Sequence, residues 1–373
     1  PDGSAIEQVS WGQVNPFGMC FDRWGNQFTA DCHSKPITML LRGGYYESFG
    51  KPHDGLGFAP VTTRHDHDST GIAGVAYYDA TNWPAEYRHC FYVGNVITNV
   101  VHRDVVQWRG SSPWVEKPVD FVVCDDPWFH PVDLQVGPDG ALYISDFYNA
   151  IIGHYEVDLK HPRRDRTRGR IWRVVYRGED GKGASPPGPV DFTQASEKQL
   201  VSWMGAENIA VRAAATRQAM ERPAATALAI GMSKTSEASP LLKAQAVWLA
   251  ASRGELDAAV ASEKSQPSDP LVRVQLCRAV GELSTAAPPT VAWLVEQLKD
   301  GDPFVKRAAA DALSRHPRGE HVAPLLEAWQ AAEPADEQLV HTLKLAVRRQ
   351  LTAPGGLAAL ASRRGALPAA QLK

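Results

Sequence analysis

The densest run of residues able to do chemistry is Arg64-His65-Asp66-His67-Asp68-Ser69. Two histidines at i, i+2 with aspartates between them can ligate a metal ion or move protons, because a neutral imidazole is both a donor ligand and a base near pH 7. His53-Asp54 lies shortly upstream, and His130 and Asp133 stand at the entry to a later strand. Read as a site, His65, His67 and His130 are candidate bases, and Arg64 is the cation that would steady a developing alkoxide. Asp66, Asp68 and Asp133 are then the substrate-binding carboxylates. Read plainly, the same run is a solvated loop with Asx turns, and Asp133 bonds neighbouring backbone. The sequence has no Gly-x-Ser-x-Gly elbow, no phosphate-cradling glycine loop and no His-Glu-x-x-His.

The elements that must position these groups change type near residue 180. Before it Trp, Tyr, Phe, Gly and Asp are dense in short alternating runs; after it Ala, Leu, Glu and Arg dominate. The first half repeats. Asn15–Asp31 aligns with His130–Asp146 at a constant offset of 115, without a gap. Each copy enters a strand at a proline, turns at a glycine and runs apolar into an aspartate. A diverged middle copy has Gly71–Tyr78 as its first strand and Phe91–Asn95 as its second, with Asn95 in the place of Asp31 and Asp146. Recurrence at a strand end gives Asp31, Asn95 and Asp146 a structural turn role. Units of this kind are propeller blades. Blade entries converge on one end of a propeller channel, which is what would bring residues 64–68, His130 and Asp133 together. Only about three blades fit before Tyr176, whereas propellers close with about four to eight. The expectation is therefore a fragment whose missing blades lie upstream.

The second half repeats at about 30 residues. Ile209–Ala215, Pro240–Ala246, Pro270–Leu276 and Pro303–Ala309 align, and three copies begin with a polar cap and proline: Ser239-Pro240, Asp269-Pro270 and Asp302-Pro303. A cap followed by proline starts a helix. Stacked helical hairpins that bury one face against their neighbours make a solenoid, and the pattern resembles HEAT repeats. Its exposed Arg and Lys read as ordinary solenoid surface, and its concave face as a surface for a protein partner.

The fold class is thus multidomain β plus α, a partial propeller over 1–177, a Gly/Pro-rich linker over 178–194 and a HEAT-like α-solenoid over 195–373. A formal net charge of −3 leaves no electrostatic footprint for nucleic acid, and the basic run His161–Arg170 reads as a solvated connection. No stretch has the ~18–20 apolar residues that span a bilayer, and Pro1-Asp2-Gly3-Ser4 does not read as a signal peptide. Cys20, Cys32, Cys90 and Cys124 lie in the β half, as two disulfides or as buried free thiols; Cys277 reads as helical core. There is no Cys-x-x-Cys-His.

Asn15–Met19, Gly71–Tyr78, His130–Gly140, Ile151–Val157, Arg163–Arg166 and Gly169–Val174 together resemble the large exported proteins of planctomycetes and verrucomicrobia called membrane-bound dehydrogenases or PVC-type haem-binding proteins. The resemblance implies a propeller similar to glucose/sorbosone dehydrogenases, then HEAT repeats, then a cytochrome c domain. It implies export to the periplasm and oxidation of carbohydrate with electrons passed to haem. Pyrroloquinoline quinone and Ca²⁺ are the cofactors it suggests for the full protein. Haem is not carried over to this chain, which ends at Leu372-Lys373 without its attachment motif. Two functions follow: part of a sugar or alcohol dehydrogenase, or a non-catalytic propeller/HEAT scaffold that binds protein or polysaccharide.

Overall fold

The computed structural model describes residues 6–33, 35–50, 57–63, 65, 67, 71–115, 118–153, 156–183, 190–257 and 268–361. They form two compact units. A sheet unit comprises residues 1–108, 113–195 and 206–215, and a helical unit comprises 109–112, 196–205 and 216–373.

Three antiparallel sheets make the sheet unit. The first has β1 (Pro16–Phe21), β2 (Gln27–Asp31) and β3 (Thr38–Leu40) in chain order. The second runs β4 (Ile72–Tyr77), β5 (Cys90–Asn95), β6 (Val100–Val105), β9 (Pro118–Val123), after the short hairpin β7 (Gln107–Arg109) and β8 (Ser112–Trp114). The third has β10 (Pro131–Val136), β11 (Leu142–Asp146) and β12 (Arg170–Val174). The strand bounds of β1 and β2, moved by 115, are those of β10 and β11. All three sheets share one register, with Pro16 opposite Asp31, Ile72 opposite Asn95 and Pro131 opposite Asp146, each followed by a bulge.

Those recurrent polar residues hold turns. Asp31 accepts the amides of Val14, Asn15 and His33, Asn95 those of Ile97 and Thr98, and Asp146 those of His130 and Tyr148. Gly18 and Gly74 occupy the bulges of β1 and β4 with φ of 79° and 67°. A Cβ on Gly18 would meet the Gly74 Cα at 2.9 Å, and one on Gly74 would meet the Asp133 Cα at 2.7 Å. The opening strands of the three sheets therefore lie against one another at closest backbone approach, which only glycine permits in this conformation.

Strands β4 and β5 of the middle sheet are buried on both faces, so they read as nearly continuous apolar runs. Val75, Tyr77, Phe91 and Val93 pack with Phe28, Ile37 and Met39 of the first sheet. Ala76, Tyr78, Cys90 and Tyr92 pack with Leu134, Leu142 and Ile144 of the third. Of the two readings open for the cysteines, the structure has free thiols at all five positions.

The helices run α1 (Glu197–Met204), α2 (Ile209–Met220), α3 (Pro223–Ser233), α4 (Pro240–Ser252), α5 (Pro270–Gly281), α6 (Pro288–Gln297), α7 (Pro303–Arg315), α8 (Val322–Ala331), α9 (Glu337–Thr352) and α10 (Gly356–Ala361). Ser239, Asp269 and Asp302 each accept a first-turn amide, as a cap before proline should. Arg212, within the Ile209–Ala215 repeat copy, is 3 % exposed and paired with Asp79. No helix among the described residues is long and apolar enough to cross a membrane.

His341 of α9 gives the helical unit a pH dependence. Burial, then the ammonium of Lys344, pushes its imidazole down from 6.5 to about 4. The unfolded chain takes a proton that the folded unit refuses, so stability drops as pH falls from about 6.5 toward about 4. The expected loss is about 1–3 kcal/mol at pH 4. His341→Leu should flatten the slope of thermal midpoint against pH, leaving the smaller contribution of His321, which burial also holds low.

Candidate metal centre

The loop carrying His65 and His67 is tied down on both sides. Thr62 Oγ1 accepts the Met39 amide at 3.1 Å, the Thr62 carbonyl accepts the Val115 amide at 3.0 Å, and Thr63 bridges to Val115. Asn95 donates from Nδ2 to the His67 carbonyl at 3.4 Å. His67 itself has φ of 55°, in the left-handed region where a residue with a Cβ sits at a cost of about 1 kcal/mol. Strain of this kind is retained where the surroundings over-determine it, as at functional sites.

The loop sets both imidazoles against β6. There His102 and Asp104 share a face, two residues apart. His65 Nε2 lies 2.9 Å from Asp104 Oδ1, and His67 Nε2 lies 3.1 Å from Asp104 Oδ2. The side chains of His67 and Asp104 are fully buried and that of His65 is 14 % exposed. The His65 ring meets that of His67 edge-on at 4.5 Å, and His102 stacks on His67 at 4.0 Å. His102 Nδ1 is held by Asp120 Oδ1 at 3.0 Å.

The approaches to Asp104 are short, yet neither its oxygens nor any ring nitrogen of His65 and His67 has an aligned hydrogen-bond partner. The His102 Nε2 is likewise buried and unpartnered. Burial pushes the Asp104 carboxyl up, but the two facing imidazoles outweigh it and hold the group below the usual carboxylate range. Burial, then the neighbouring His67 ring, holds His102 below the usual imidazole range. Among the described residues, His65, His67 and Asp104 form the set whose donor atoms all lie within 4.8 Å of one another.

His130 is not part of this set. Its Nδ1 lies 2.7 Å from the Val96 carbonyl and its Nε2 2.8 Å from the Asn149 carbonyl, so both ring nitrogens tie loops together. Asp133 packs its Cα against Gly74 and its carboxylate near Gln135, at 3.5 Å. Arg64, Asp66 and Asp68 lie outside the described residues. Asp104 and His102 were not singled out from sequence. Their signal is the pair of polar residues at one-face spacing among the valines of Val100–Val105.

Two nitrogens and one carboxylate do not suit Ca²⁺, which takes 6–8 oxygen ligands. The guanidinium groups of Arg23, Arg42, Arg88 and Arg103 are already engaged by Glu207, Glu7 and backbone carbonyls. No step is assigned to a pyrroloquinoline quinone or to Ca²⁺.

On the opposite face of the middle sheet, that of Tyr92 and Arg103, the residues Trp83, Tyr87, Arg103, Asp120, Phe121 and Tyr176 line a cleft of about 320 Å³. Asp120 thus belongs both to the cleft wall and to the support of His102.

A family described as "Domain of unknown function (DUF7133)" matches residues 1–178, and HEAT repeats match residues 258–344. No curated protein matches the chain. Among solved structures, an oxidoreductase described as a glucose dehydrogenase from Thermus thermophilus is similar at 19 % identity, with 47 % of this chain and 49 % of that one covered and a TM-score of 0.34. A structure described as the PQQ-bound form of aldose sugar dehydrogenase from Streptomyces coelicolor is similar at 16 % identity, with 47 % of each chain covered and a TM-score of 0.32. The chain spans about half the length of the solved structures it matches.

Proposed function

We propose that the sheet unit is a run of β-propeller blades in a dehydrogenase for sugar or alcohol hydroxyls, and that His65, His67 and Asp104 are its reactive centre. Three features support the propeller. The sheets share one register and bulge, they pack face to face, and their opening strands lie side by side. The half-exposed Phe17, Met19 and Phe21 on β1 are the apolar flank that a blade presents to its neighbour.

The observation that carries the reading of the centre is the buried Asp104 carboxylate, facing two imidazoles with none of the six polar atoms in an aligned hydrogen bond. Burying a carboxylate between two imidazoles costs several kcal/mol unless charge offsets it, which is what a reactive centre or a bound cation would do. In the reaction the hydroxyl proton of the substrate goes to this centre while two electrons and the carbon-bound hydrogen leave to an external two-electron acceptor of the quinone or dye class. The products are a carbonyl compound and the reduced acceptor. A separate aromatic cleft on the opposite face of the same sheet has flat apolar walls and two charged groups, a combination suited to holding a sugar ring away from the centre.

The test is dye-linked oxidation of a sugar and alcohol panel by the full chain. Turnover is expected, falling about 10²–10⁴-fold in His65→Gln. Absence of turnover across the panel would overturn the dehydrogenase reading in favour of a binding scaffold.

A further inference from the structure

We propose that His65, His67 and Asp104 hold a divalent first-row transition-metal ion. The inference deepens the reading of this centre as reactive, but it stands on the donor set itself. Imidazole with carboxylate is the chemistry of Zn²⁺, Fe²⁺ and their neighbours, whereas hard cations prefer oxygen alone.

Geometry agrees with chemistry. Ligands about 2.1 Å from a common ion stand about 3.0–3.4 Å apart at octahedral or tetrahedral angles. The two nitrogen–oxygen separations are 2.9 and 3.1 Å, one to each oxygen of Asp104, and the donor atoms of the three residues lie within 4.8 Å of one another. Hydrogen bonds would point each donor at its acceptor, whereas ligands point at the ion between them. Short approaches that miss hydrogen-bond alignment are compatible with ligands turned toward a shared ion.

Two further features fit. His67 and Asp104 are fully buried and His65 is 14 % exposed, so among the described residues of the set it is His65 that meets solvent, the side from which water or a substrate oxygen would complete the coordination. His102, braced by Asp120, lies flat against His67 and fixes the plane of that ring. A cation here would also offset the cost of the buried carboxylate and favour loss of the proton from a hydroxyl beside it, the proton passing to solvent water because the three side chains are then ligands rather than bases.

The full chain, stripped with a chelator, is titrated with Zn²⁺ by calorimetry and with Co²⁺ by visible absorption. One ion per chain is expected, with Co²⁺ bands of a low-symmetry nitrogen/oxygen site. Affinity should fall on the order of 100-fold or more in His67→Gln and in Asp104→Asn, and should be unchanged in His341→Leu of the helical unit. Circular dichroism of each variant checks that it is folded. No stoichiometric binding by the folded wild-type chain would overturn the proposal. So would equal affinity in folded His67→Gln and Asp104→Asn. Binding without turnover on the substrate panel would keep the metal centre and remove the dehydrogenase; turnover undiminished in the stripped protein would do the reverse.

Discussion

Asp79→Ala is expected to destabilise the sheet unit by about 3–5 kcal/mol, because it strands a buried guanidinium. Asp79 Oδ2 accepts from Arg212 Nη2 at 2.9 Å, and the two side chains are 1 % and 4 % exposed. Its Oδ1 faces His89 Nδ1 at 3.3 Å and Arg23 Nη2 at 3.5 Å, and its carbonyl accepts the Ile209 amide at 2.9 Å. Burial drives this carboxyl up, but His89, Arg212 and Arg23 together hold it below its ordinary range. The folded-state value is therefore depressed, so the contribution is complete above the unfolded value of about 3.9 and fades as pH falls below it. Removing both partners, in Asp79→Leu with Arg212→Leu, should recover much of the loss, since an apolar pair of similar volume avoids the desolvation of both charges. Urea titrations of the two singles and the double give the coupling energy. A loss under about 1 kcal/mol for Asp79→Ala would show that Arg212 finds water instead.

How far the sequence carries is clearest at the recurrent aspartates. Asp31 and Asp146 were legible because a strand–turn–strand unit is local: proline, glycine and aspartate within seventeen residues define both strands and the turn. The 115-residue offset then holds to the last residue of each strand. His65 and His67 were legible for a similar reason, as a local i, i+2 pair. Asp104 was not, because nothing local marks it; it meets the pair only when β6 hydrogen-bonds to β5 and the loop crosses over. His130 was misplaced by the converse error. Its position at a strand entry is right, but its ring is consumed by the Val96 and Asn149 carbonyls, which lie 34 and 19 residues away. The Arg212 pairing was not legible because its partner Asp79 lies 133 residues away. Pairings set by tertiary approach leave no periodic trace, while caps, bulges and turns do.

The helical unit rests on one such pairing. Asp336 is 2 % exposed and caps α9, with Oδ1 accepting the Leu339 amide at 3.2 Å. The same carboxylate accepts the Ser111 amide at 2.7 Å and the hydroxyls of Ser111 and Ser112 at 3.0 and 2.6 Å. Ser112 Oγ in turn accepts the Gln338 amide at 2.8 Å, and Arg307 Nη1 donates to the Ser111 carbonyl at 2.8 Å. Gly110, at φ of 62°, allows the approach: a Cβ there would lie 2.3 Å from Asp336 Oδ2. Asp336→Ala removes a helix cap, at about 1 kcal/mol, and strands a buried amide and buried hydroxyls, each costing about 1–3 kcal/mol. The expected total is about 3–5 kcal/mol, with Asp336→Asn in between because an amide oxygen still accepts. Gly110→Ala should cost nearly as much by a different route, combining left-handed strain with displacement of the carboxylate. Because both changes act on the same contact, their effects should be markedly sub-additive in a double-mutant cycle. Additive losses would mean that the 109–112 turn and the α9 cap are stabilised independently, and that the Asp336 network is a coincidence of proximity.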